Sequence, residues 1–265
     1  MLLTSVLLIL QETLEAALLI SILAVLSLQN GYRMLWLIPG FMVGMVMALL
    51  YAENMETVSG WFEYVGQELT NASLQTAIAL VLLPLAWMLG KAFEIGEKVS
   101  RDARTPRKSS WGVLCAMAVA LAVTREGSEI LVFLQGFLGQ SDQARPVAIG
   151  SAIGFGIGLS VGLLLFYAQL PLRGPLTRWI PLVLLALYGG NMMSQATLHL
   201  IQADWLQSGP ALWDSSAWLP EQSVTGRLLY ALVGYESSPS AVQAVSYAVG
   251  TLAVVGAALA GRKYA

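Results

Sequence analysis

Of the 265 residues, 57% are hydrophobic and 11% charged, the net charge is −2 and the mean hydropathy is +0.68. A soluble domain carries about 25% charged residues, and a disordered chain combines low hydrophobicity with high net charge; the composition excludes both and leaves a polytopic, all-α membrane protein. A single cysteine, Cys115, excludes an internal disulfide, a thiolate metal cluster and a CxxC pair, and a single histidine, His199, excludes a multi-histidine metal site within the chain.

A membrane-spanning helix needs about 20 apolar residues. Apolar runs predict seven of them, near 4–28, 34–52, 72–93, 110–138, 147–169, 180–202 and 239–260. The first begins Met-Leu-Leu-Thr, with no basic residues ahead of it and no small-residue cleavage site, so it reads as a retained helix rather than a secretory signal. Positive charge orients the set. Placing the N-terminus outside makes the segments 29–33, 94–109, 170–179 and 261–265 cytoplasmic and, with Lys91 at the end of the third helix, gives that side 11 of the 14 basic residues. Most acidic residues fall on the other side, where they would concentrate cations. This is the expected topology of a multi-pass protein of the cytoplasmic (inner) membrane, N-terminus outside and C-terminus cytoplasmic.

The chain repeats itself at an offset of 114: Glu12 and Glu15 map onto Glu126 and Glu129, and Gly40, Gly44 and Ala48 onto Gly154, Gly158 and Gly162. Three spans per unit turn the second unit upside down relative to the first, the inverted repeat of many secondary transporters. The expected organisation is a first three-helix unit with a basic loop over 1–109, an inverted second unit over 110–202, and an outer loop with an extra helix over 203–265, all in one membrane domain. Small residues at every fourth position, Gly150, Gly154, Gly158 and Gly162, predict a close helix seam.

Four glutamates lie inside the spans. At i, i+3 spacing each pair shares a helix face, and an acidic group at that depth costs about 2.5–3.5 kcal/mol. Arg125, next to Glu126, is the natural counter-ion, and Gln11, Thr13 and Ser128 are polar neighbours that tune the site. Guanidinium cannot coordinate a metal, but four converging carboxylates describe a site for a hard cation. Four ionised glutamates and one arginine sum to −3, which a trivalent ion neutralises and a divalent ion neutralises if one carboxyl keeps its proton. Candidate pathway residues are His199 near the end of the sixth helix, Glu53 and Glu56 on the outer side, and Glu94 and Glu97 on the inner side.

Gln11-Glu12-Thr13-Leu14-Glu15-Ala16 and Arg125-Glu126-Gly127-Ser128-Glu129 resemble the paired Arg-Glu-x-x-Glu motifs of the oxidase-linked high-affinity iron permease family. Gly234-Tyr235-Glu236-Ser237-Ser238-Pro239-Ser240 is similar to that family's stretch before its last helix. The resemblance implies seven spans, iron as the transported substrate, the motif glutamates as its ligands, and an extracytoplasmic oxidase or iron donor as partner beside the lipid bilayer. It implies no organic cofactor and no nucleic acid. Gln11 departs from the pattern, which has arginine there, so transport of another divalent metal such as lead or manganese stays open. The enzymatic alternative is a membrane-embedded di-metal carboxylate oxidase. Bundles of that class supply Glu-x-x-His pairs, and His199 does not stand three residues after a glutamate.

Overall fold

The computed structural model describes residues 1–98, 108–138, 141–171 and 176–264, with side chains over 1–92, 110–137, 142–171 and 176–264. Its elements are helical: α1 Leu2–Gln29, a 3-10 turn Met34–Trp36, α2 Leu37–Glu53, α3 Met55–Ser59, α4 Gly66–Lys98, α5 Lys108–Leu138, α6 Ser141–Gln169, α7 Leu176–Gln202, α8 Val224–Val233 and α9 Ala241–Lys263. The one β-pairing among the described residues is an isolated bridge between Ala211 and Ser240.

Among the described residues, five helices are long and apolar enough to cross a membrane: Leu2–Gln29, Met34–Glu53, Gly66–Ala92, Asp142–Gln169 and Ala241–Lys263. The sequence reading expects seven. The other two, α5 with 31 residues and α7 with 27, have the length, since at about 1.5 Å of rise per residue each is longer than a bilayer core of about 30 Å. Their apolar character is diluted by Arg125, Glu126 and Glu129 on α5 and by Asn191, Ser194, Gln195 and Thr197 on α7. Most of these polar groups are buried against other helices.

The outward surface is the reverse. α2, α6 and α9 expose Phe41, Met42, Phe155, Leu164, Val249 and Leu252, as a lipid-facing surface must where no water drives burial. Helix α1 is the most enclosed of the spans. It packs chiefly on α6, and α5 chiefly on α2, while α4, α7 and α9 pack on one another.

Both seams with α1 and α5 run on small residues. A Cβ on Gly154 would stand 2.5 Å from Val6 O and 3.0 Å from Leu10 N, and one on Gly44 would stand 2.6 Å from Val123 Cβ. The seam predicted for Gly150, Gly154, Gly158 and Gly162 is therefore the α1–α6 contact.

Leu18, Leu19, Ile22, Leu23 and Leu26 of α1 join Ile78, Leu82 and Leu85 of α4, Trp111 and Cys115 of α5 and Leu185 of α7 in one apolar core. It fills the half of the bundle nearer the C-terminal end of α1, called here the C-face. The opposite end, the N-face, carries the starts of α1, α4, α6 and α9 and the ends of α2, α5 and α7. At the C-face, the Trp36 and Trp111 Nε1 groups both donate to Ser27 Oγ, at 3.1 and 3.0 Å, and Ser27 donates to Leu23 O at 2.7 Å.

Candidate metal centre

Helices α1 and α5 lie side by side, and each turns its two glutamates toward the other. Arg125 joins all four carboxylates. Its Nη1 is 3.5 Å from Glu12 Oε2 and 3.3 Å from Glu15 Oε2, it pairs closely with Glu126 Oε2, and its Nη2 is 3.2 Å from Glu129 Oε1. Glu12, Glu15, Glu126 and Arg125 are buried, whereas the Glu129 side chain is 28% exposed. Two polar atoms of the cluster, Arg125 Nε and Glu126 Oε1, have no partner. One guanidinium against four carboxylates leaves a buried excess of acid, which favours protonation or a second cation.

Amides brace the cluster from the surrounding helices. Gln195 Nε2 on α7 donates to Glu15 Oε2 at 3.1 Å, and Gln75 Nε2 on α4 donates to Gln195 Oε1 at 2.6 Å. Gln11 Nε2 reaches Glu15 Oε1 at 3.4 Å, so the residue at the arginine position of the first motif serves as a neutral donor. Asn71 Nδ2 on α4 donates to Glu129 Oε1 at 3.4 Å, and Tyr51 OH on α2 donates to Asn71 Oδ1 at 3.4 Å.

A cavity of about 320 Å³ opens at Glu129 from the N-face, with Tyr51, Asn71, Ser128 and His199 in its lining. A second, of about 290 Å³, reaches Gln11 on the other side of α1 and is lined by Glu221, Arg227, Tyr230 and Glu236. Here Glu221 accepts from the Ser237 backbone and hydroxyl, and Gln243 Nε2 donates to both oxygens of Glu236, at 2.8 and 2.9 Å. Burial pushes the Glu236 carboxyl above its ordinary range; the Gln243 bonds oppose this and the Glu221 charge adds to it. Gly234, at φ 70°, closes α8 in the left-handed region that favours glycine.

Glu12, Glu15, Glu126, Glu129 and Arg125 thus come together, with Gln11 beside them. Thr13 does not join them: its methyl side packs on Gly158 of α6, and its hydroxyl has no partner. Ser128 donates to the Arg125 carbonyl at 2.8 Å and lines the first cavity, as does His199. Glu53 and Glu56 are exposed, at the end of α2 and in α3. The side chains of Glu94 and Glu97 lie outside the described residues. Asn71, Gln75 and Tyr51 were missed as site residues. The available signal was Asn71 and Gln75 at i, i+4 within an apolar run.

Among the described residues, no three of His, Cys, Asp and Glu are gathered as a metal ion requires. The guanidinium stands in the midst of the four carboxylates.

The model of the iron permease FTR1 family matches residues 2–262. The chain belongs to that family. It is thus a permease, a transporter and not an enzyme, and a multi-pass membrane protein. The ferrous iron permease EfeU of Escherichia coli O6:H1 is 27% identical over 243 residues, covering 88% of this chain and 87% of that protein. The protein of the same name from Escherichia coli O157:H7 is 26% identical over the same length. The uncharacterized protein slr0964 of Synechocystis is 30% identical over 181 residues, 61% of this chain, and the match spans only 58% of that protein. No solved structure matches.

Proposed function

We propose that this permease carries iron across the cytoplasmic membrane into the cell, and that Glu12, Glu15, Glu126 and Glu129 bind the ion in transit. The observation that carries the reading is the convergence of four buried or half-buried carboxylates on one arginine between α1 and α5. Such a charge imbalance in a membrane interior marks an ion pathway. The matched ferrous iron permeases favour the divalent ion as cargo. With Arg125 charged, a bound divalent ion is fully neutralised when one carboxyl keeps its proton, so loading releases protons from an acid-rich site.

In this reading Arg125 is a resident counter-cation. It holds the four carboxylates while no metal is bound and gives way when one arrives. Gln11, Gln75 and Gln195 hold Glu15 in place during the exchange.

We infer seven spans, with α5 and α7 as the two whose polar residues are shielded by their neighbours. The N-face is outside: Arg33, Lys91, Arg178, Arg262 and Lys263 all lie at C-face ends. The inverted repeat, 1–109 against 110–202, is supported by the seams. Gly40 meets Ala116 and Val119 as Gly150 meets Leu2 and Ser5; Gly44 meets Ala120 and Val123 as Gly154 meets Val6 and Ile9; Ala48 meets Gly127 as Gly158 meets Thr13. Partners on α1 and α5 keep the 114 offset, while the glycine rows pair at 110, one helical turn from the register read in the sequence. Rocking along these two seams would alternate access. The apolar core beyond Glu15 closes the C-face meanwhile.

The test is uptake of radioactive iron into proteoliposomes. Glu126→Gln keeps the shape and removes the charge; it is expected to abolish uptake while the protein still inserts. Uptake equal to wild type would overturn the four-glutamate site.

A further inference from the structure

We propose a second, outer cation site on the N-face, adjoining the arginine-filled cluster through Glu129 and built from Glu129, Asn71 and His199. It takes a first-row divalent transition-metal ion and discriminates against magnesium and calcium. The proposal rests on the permease reading above for its place in transport, but not for its chemistry.

Three helices converge on this cavity. Asn71 comes from the first turns of α4, His199 from the last turn of α7, and Glu129 from the outer half of α5. Glu129 differs from the other three glutamates: its side chain is 28% exposed, and it alone of the four lines the 320 Å³ cavity. It therefore has one side toward Arg125 and one toward an arriving ion.

The histidine is held as a metal ligand is held. Its Nδ1 lies 3.1 Å from Gln202 Oε1. A carbonyl oxygen accepts, so Nδ1 of the neutral ring carries the proton and Nε2 keeps its lone pair. Ligating histidines typically fix their tautomer in this way, through a carbonyl or carboxylate on the other ring nitrogen. The ring feels Arg125 on one side and the opposing charges of Glu129 and Glu68 on the other.

The donor set sets the preference. Carboxylate and amide oxygens alone suit hard ions, whereas an imidazole nitrogen favours first-row transition metals. Two strong ligands plus an amide, with water completing the shell, make a weak and exchanging site. That is what entry requires, because an ion held tightly here would not move on. The handover needs no long step, since Glu129 Oε1 is itself 3.2 Å from the guanidinium that the ion is to replace.

The chain has one histidine, so in tag-free protein any imidazole signal from a bound metal comes from His199. Full-length protein in detergent is loaded with Mn²⁺ and read by pulsed electron paramagnetic resonance for imidazole nitrogen coupling. Wild type is expected to show the coupling, His199→Ala and His199→Gln to lose it, and Glu15→Gln to keep it. In proteoliposomes, His199→Ala should raise the KM for Fe²⁺ about tenfold or more. The glutamine variant retains a polar side chain, so loss of coupling with an unchanged melting temperature separates ligation from misfolding. No coupling in wild type, or an unchanged KM in both variants, overturns the outer site. Coupling in a wild-type protein that takes up no iron overturns the permease reading and leaves the site standing.

Discussion

Replacing Arg125 by glutamine gives the second motif the residue that the first already carries at Gln11. Arg125 contacts four carboxylates and is buried with them. Removing one partner of a buried ionic group costs about 3–5 kcal/mol, because the remaining charge is stranded. At about 2–4 °C per kcal/mol for a chain of this size, the apo variant should melt on the order of 10 °C below wild type at neutral pH. A cation restores what the arginine supplied. At a hundred times its dissociation constant a ligand stabilises by about 2.7 kcal/mol, so Mn²⁺ should recover more than half of the deficit. Wild type should gain less, since there the ion must displace a guanidinium. The assay is thermal unfolding of detergent-solubilised protein by tryptophan fluorescence, with and without Mn²⁺, with Arg125→Lys as the charge-preserving control. The reasoning fails if apo Arg125→Gln melts with wild type, or if Mn²⁺ stabilises wild type more than the variant.

Gly154→Ala should destabilise by about 1–3 kcal/mol or more, because the new methyl meets Val6 and Leu10 backbone that cannot yield, whereas Gly156→Ala, with nothing within 4 Å, should leave the melting temperature unchanged. Gln195→Leu should cost about 1–3 kcal/mol by stranding the Gln75 amide, while Glu15 Oε2 keeps Arg125 as its partner, and adding Gln75→Leu should cost less than the sum of the two in a double-mutant cycle. Glu236 holds its proton more tightly folded than unfolded, so its contribution to stability is full in acid and lost as pH rises from its ordinary value through its raised folded value. Glu236→Gln should flatten that slope in melting curves taken across the same window.

The glutamate pairs were readable because a carboxylate inside an apolar run is costly and the same spacing occurs twice. Arg125 was readable as a counter-ion from adjacency alone, but its reach to all four carboxylates depends on how α1 meets α5. Thr13 turns to α6 for a geometric reason: one residue along a helix is about 100° around it, so the neighbour of Glu12 meets Gly158. Asn71 and Tyr51 come from helices whose approach no local pattern encodes. The glycine row was legible as a seam, but its register was one turn off, because identity of residues aligned it where contacts do not. Helix α8 passed unseen among apolar runs, although Ser223 as its N-cap and Gly234 as its stop mark its ends.

The joint at Ser27 has a further consequence. Two indoles, one preceding α2 and one from the start of α5, share a single oxygen on α1. A displacement of α1 that parts these bonds is costly. It leaves an indole N–H without an acceptor in an apolar interior, a penalty paid in full at once. The contact therefore ties α1, the segment before α2 and the start of α5 to one another at this end of the bundle.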